Sequence, residues 1–181
     1  MKPDRLYLLS TALCSALLGA CAMPAPTGAV PNAPAALRPL DSERVAFVWL
    51  ATGSQIYECR SKGGKMVWTF VAPEAELTNA TGDKVGTHGA GPSWTALDGS
   101  KITGAVKARA NGALPADIPL LLLLAKPAPG APIGKMSNIT SVQRLNTEGG
   151  NAQAKGCDTA QDAGKRSKEG YTSDYVFFMA R

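Results

Sequence analysis

From residue 44 onward, apolar positions come as short runs or alternate with polar ones. "RVAFVWL" (residues 44–50) is ended by Gly53, and "QIYECR" (residues 55–60) follows. "KMVWTFVAP" resumes the pattern after a Gly63-Gly64 turn. In "KITGAVKARA", Ile102, Gly104, Val106 and Ala108 share one face and Thr103, Lys107 and Arg109 the other, the period of a half-buried strand. "IPLLLLLAKP" (residues 118–127) does not alternate and is too short to span a bilayer, so it predicts a strand buried on both faces. "NITSVQRL" and "YTSDYVFFMA" supply two more strands. Helix signals are confined to "APEAELTN" and "DTAQDAGKR", and no repeat of fixed period is visible. Short strands parted by Gly and Pro predict a mainly β single domain over residues 41–181, a β-sandwich or barrel-like fold with little helix.

The first 40 residues follow another pattern. Lys2 and Arg5 precede an apolar stretch from Leu6 to Leu18, and Leu18-Gly19-Ala20-Cys21 resembles a bacterial lipobox. Residues 1–20 are therefore expected to be a lipoprotein signal peptide, with Cys21 the lipidated residue. Ala20-Cys21-Ala22 also satisfies a small-x-small cleavage pattern, so ordinary secretion stands as the alternative. Residues 21–40, rich in Pro and Ala and without apolar periodicity, read as an extended tether. The expected location is the cell envelope, with the membrane as a partner through the lipid on Cys21. No aspartate follows Cys21, and by resemblance to known sorting signals this leans to the outer membrane, facing periplasm or surface.

Composition narrows the function. The chain is 45% hydrophobic and 18% charged, which suits a globular protein. Its net charge is +5, but only "GKRSK" (residues 164–168) clusters basic residues, so no nucleic-acid partner is expected. A small ligand, a glycan or another envelope protein fits better. Of four cysteines, Cys14 lies in the signal and Cys21 is the lipid site, which leaves Cys59 and Cys157 to form one disulfide. One histidine and dispersed carboxylates make a poor metal site, and "GTHGAG" departs from the dinucleotide fingerprint. No metal or cofactor is expected.

Candidate chemistry centres on His88, the single histidine, in "VGTHGAGPSWTALDGS". As a general base in a hydrolase it would need partners such as Asp98 and Ser100, with Ser93 and Asp158 also within consideration. No spacing selects a triad and no nucleophile-elbow motif occurs. The competing reading hydrogen-bonds His88 within a glycine-rich loop and groups it with Trp94 and Arg144 as ligand-binding residues. Asp98-Gly99 predicts a hairpin turn, and Gly89 to Pro92 a bend that positions Trp94. Trp49, Trp68 and Trp94 suit core packing or a stacking platform. An interior Arg144 would need a carboxylate, with Asp158 and Asp174 as candidates. Asn79-Ala80-Thr81 reads as a turn, and Asn138-Ile139-Thr140 as part of a strand.

Taken in order, "QIYECR", "WTFVAPEAEL", "VGTHGAGPSWTALDGS", "IPLLLLLA", "VQRLNTEGG", "GCD" and "YTSDYVFF" resemble the bacterial and fungal family DUF3455, from about Val45 to the C-terminus. The resemblance implies a β-rich domain in an envelope setting and carries no established activity. Leu120 stands where the family usually has tryptophan, and Gly89 where an aromatic commonly follows the histidine. The expected function is a lipid-anchored, non-enzymatic envelope protein with a binding or structural role. The alternative is a hydrolase using His88 with Asp98 and Ser100.

Overall fold

β1 (Glu43–Lys62) buries Trp49, Ala51, Gln55, Tyr57 and Cys59, all odd positions, while its even positions face outward or lie at intermediate depth. A strand with one face so consistently inward needs a continuous interior to face. The computed structural model, which describes residues 32–181, provides one. β2 (Lys65–Thr78), β3 (Lys84–Gly89), β4 (Ser93–Ala96), β5 (Lys101–Ala110), β6 (Leu120–Pro127), β7 (Ile139–Gly149) and β8 (Arg166–Ala180) follow in sequence order. Each pairs antiparallel with the next, and β8 returns to β1 to close an eight-stranded barrel. Of the two architectures expected, the barrel is the one formed. The signal segment, Cys14, Cys21 and the tether up to residue 31 lie outside the described residues.

Turn chemistry fixes the register. Gly63 and Gly64 adopt φ values of 60° and 77°, the left-handed pair that a tight hairpin between β1 and β2 requires. Asp98-Gly99 turns β4 into β5 as expected, with Gly99 at φ 82° and its N–H donating to the Ala96 carbonyl. The Asn79 side chain accepts from the N–H groups of Thr81 and Asp83 to turn β2 into β3.

Four expectations change. "APEAELTN" is not helical: it runs through β2, where Ala75 and Leu77 are buried and Glu74 and Glu76 face out to meet Lys168 and Lys84. Its alternation, completed by pairing on both sides, overrides the local helix propensity of alanine and glutamate. "DTAQDAGKR" yields only a 3-10 turn at Ala160–Asp162, begun by a reciprocal Thr159–Asp162 capping box. The leucine run of β6 is buried on both faces only at Leu122 and Leu123, and Leu124 returns to solvent.

β5 also departs from its expected alternation. A bulge between Val106 and Ala108 leaves Lys107 unpaired. The face therefore switches, so that Val106 and Arg109 both border the interior while Ala108 and Ala110 pack outside. That outer patch, with Leu122, Leu145, Val176 and Phe178, is covered by Leu37 from a 3-10 turn at Ala35–Leu37. Leu37 is fully buried and its carbonyl accepts from Gln143, so the packed body begins several residues ahead of position 41.

Cys59 and Cys157 form the expected disulfide, tying the loop after β7 to β1. Their separation of 98 residues sets the size of the loop closed in the unfolded chain. Cys157→Ala should lower the unfolding free energy in urea by about 2–5 kcal/mol, and reduction should bring the wild-type protein to the same value.

Candidate functional site

The barrel interior is layered. Toward the end that holds the Asp98-Gly99 turn it is filled by aromatic rings: Phe47, Trp49, Trp94 and Phe177 meet with centroids 4.6 to 6.2 Å apart. Gly104 belongs to this layer, since a Cβ there would lie 2.9 Å from the Trp94 ring. Beyond the aromatic layer the lining turns polar, and at the opposite end the barrel opens into a cavity of about 580 Å³. Phe70, Val71 and Pro73 from β2, Val106 from β5 and Leu121 from β6 form apolar walls. Gln55, Tyr57, His88, Arg109, Arg144 and Asn151 supply the polar groups. Among the described residues, no aspartate or glutamate lines it.

His88 stands on β3 in register with Ala75 and Trp94. Its Nδ1–H donates to the Ser93 carbonyl at 2.9 Å, which fixes the tautomer and leaves Nε2 as an acceptor. The ring stacks on Trp94 at 4.7 Å and meets Tyr175 at 4.9 Å. Burial pushes its pKa down to about 4; the bond to Ser93 opposes this, and the Arg144 charge adds to it. The imidazole is therefore neutral at pH 7. Histidine does reach the interior, held by its own β3–β4 hairpin but pointing into the barrel.

Arg144 projects inward from β7, 9% exposed. Its Nε and Nη2 both donate to the Pro119 carbonyl, at 3.0 and 2.7 Å. The expected carboxylate partner is absent among the described residues. Asp174 instead accepts from Asn146, and Asp158 from the Gly156 N–H. Alternation explains the miss: Arg144 pairs across the sheet with Tyr175, so Asp174 faces the other side of β8. Around Arg144 lie Tyr171 and Tyr175, whose hydroxyls burial holds in the protonated form. Those hydroxyls, the Ser173 hydroxyl and the Gln55 Nε2 are buried without a well-formed hydrogen bond among the described residues.

Asp98 and Ser100 serve another purpose. The Ser100 hydroxyl donates to Asp98 at 2.5 Å and accepts from the Met136 N–H at 3.0 Å, while Asp98 also accepts from the Lys135 N–H at 2.8 Å. They clasp the loop between β6 and β7 to the β4–β5 turn, and these bonds lower the Asp98 pKa. Neither shares a hydrogen bond with His88, so the three do not assemble a hydrolytic triad. The Ser93 hydroxyl takes no part in the bond from His88, which goes to its carbonyl. No cluster of three metal-ligating side chains occurs among the described residues.

Trp94 lies beneath His88, fully buried, and supports the cavity floor without lining it. Trp49 is core, and Trp68 donates to the Lys155 carbonyl outside the cavity. The sequence reading missed Gln55, Tyr57, Phe70 and Arg109. Gln55 and Tyr57 had a signal, a polar residue and a tyrosine at successive inward positions of one strand. Arg109 had none, because the β5 bulge is silent in the sequence.

The family model described as "protein of unknown function (DUF3455)" matches residues 39–179, and the chain belongs to that family. No curated protein and no solved structure matches it.

His88 makes stability depend on pH. Its folded-state pKa, about 4, lies below the unfolded value near 6.5, so the unfolded chain binds the extra proton between them. Stability should fall as pH drops through that window, by up to about 3 kcal/mol from this group. The difference between wild type and His88→Gln in urea unfolding at pH 7 and pH 4.5 isolates it. An imidazole NMR titration should show a neutral ring down to about pH 5.

Proposed function

We propose that this DUF3455 protein is a ligand-binding barrel of the cell envelope, held to a membrane by lipid on Cys21. The open-ended cavity carries the reading. It combines apolar walls with convergent polar groups and has the size of small-molecule sites, about 300–1,000 Å³. A barrel needed only for stability would gain by filling this half with aromatic side chains, as it does the other half. The anchor reading draws on the Leu18-Gly19-Ala20-Cys21 motif and the Pro/Ala-rich stretch after it. Nothing in the geometry favours hydrolysis, since His88 is neutral, weakly basic and without a hydroxyl or carboxylate partner.

Binding is tested by thermal shift against a library of small amphiphiles and sugars, with Val106→Trp as the control. Val106 is 45% exposed at the cavity wall, so the larger ring should block the mouth with little loss of stability. Compounds that raise the wild-type Tm should leave Val106→Trp unchanged; equal shifts in both proteins would place binding elsewhere. The anchor predicts that Cys21→Ser abolishes fatty-acid labelling and moves the protein from the membrane to the soluble fraction. Unchanged membrane retention would count against it.

A further inference from the structure

We infer that the cavity selects an anionic amphiphile, a carboxylate seated on Arg144 at the floor with its apolar body running along β2 and β6 to the mouth. This rests on the ligand-binding reading above and gives it a chemical class.

Charge is the first argument. Two guanidinium groups, Arg144 and Arg109, face a cavity with no acidic side chain in its lining among the described residues. Neither forms a salt bridge with any described residue. Arg109 can hydrate at the mouth, but Arg144 is nine-tenths buried. A buried guanidinium is costly without a counter-charge. The Pro119 carbonyl answers two of its five N–H groups and brings no formal charge.

Unused donors are the second. Gln55 is 2% exposed, lines the cavity and leaves its Nε2 without a well-formed hydrogen bond among the described residues. Behind the lining, beside Arg144, the Tyr171 and Tyr175 hydroxyls likewise lack a well-formed hydrogen bond among the described residues, and burial keeps their protons on. A group that accepts several hydrogen bonds and carries negative charge answers the two that line the cavity, Arg144 and Gln55, together. A carboxylate does so, with geometry matched to the guanidinium fork. A hydroxyl would leave the charge unanswered, and an ammonium would meet two cations.

Apolar surface is the third. Above the polar floor, Phe70, Val71, Pro73, Val106 and Leu121 leave little for a polar body to bond. Phe70 is 49% exposed at the rim and packs edge-on to Tyr57 at 5.8 Å, an apolar lip over the entrance. Polar sugars match the floor but not these walls.

The test uses calorimetry on the full chain carrying Cys21→Ser, with decanoate, 1-decanol and decylammonium below their aggregation concentrations. Decanoate should bind roughly ten- to hundred-fold tighter than decanol, with decylammonium weakest. Arg144→Met should erase the advantage of decanoate and leave decanol binding intact; Arg144→Lys should keep part of it. Arg109→Met should weaken decanoate less and reduce its salt dependence, a readout that holds even if Arg144→Met does not fold. Decanol binding as tightly as decanoate to the wild-type protein would overturn the anionic assignment while leaving the cavity reading standing. Failure of all three ligands, with Val106→Trp indistinguishable from wild type, would overturn the cavity reading itself.

Discussion

Closure of the sheet is the constraint from which the rest of the molecule follows. β1 is 20 residues long and pairs with both β2 and β8, so no edge remains and every second side chain is committed to one lumen. Eight strands enclose a space just wide enough for side chains to fill or for one small ligand to occupy. This chain does both, at different heights. Gly104 and Ala51 give way so that Trp49, Trp94 and Phe177 can fill one half. At the other half the inward residues are Gln55, Tyr57, Arg109 and Arg144, and they leave space.

The outer wall answers to the same period of two. β6, β7 and β8 bury alternate residues inside and out, because Leu37 covers the patch of Leu122, Leu145, Val176 and Phe178. The N-terminal segment therefore acts as a strap across the strands that also carry Arg144. Gln143, the neighbour of Arg144, is fully buried on the outer face and bonds the Leu37 carbonyl. One strand thus anchors the strap with one residue and sets the cavity floor with the next.

Much of this was legible in the chain. The strands other than β3 and β4, the Gly63-Gly64 and Asp98-Gly99 turns and the pairing of the two remaining cysteines were legible, whereas the direction of His88 was not. Closure was not legible: alternating strands serve a sandwich and a barrel equally, and only the pairing of β1 with β8 decides. The "APEAELTN" error has the same root, since alanine and glutamate become strand residues when neighbours on both sides supply the ladder. The bulge at Lys107 left no mark, and without it Arg109 would be placed on the outer face. Arg144 was read as needing a carboxylate if it lay inside; it does lie inside, but the Pro119 carbonyl takes that place. Asp174 was a false candidate because register, which alone tells Asp174 from Tyr175 as the neighbour of Arg144, is a property of the sheet.

A polar floor is a costly way to build this part of a barrel. The Arg144 charge lowers the His88 pKa further below what burial sets. Four buried polar atoms around Arg144, from Gln55, Tyr171, Ser173 and Tyr175, lack well-formed hydrogen bonds among the described residues. Each such atom costs about 1–3 kcal/mol when left dry. The same lumen shows that the chain can fill space with tryptophan and phenylalanine where packing is the aim. A floor of arginine, glutamine and tyrosine beneath apolar walls therefore has a consequence that aromatic filling would not: it is stabilised most by an occupant that brings acceptors and negative charge to it. Stability and the proposed recognition meet at Arg144, whose buried charge is costly to the barrel and is the group that an anionic ligand would answer.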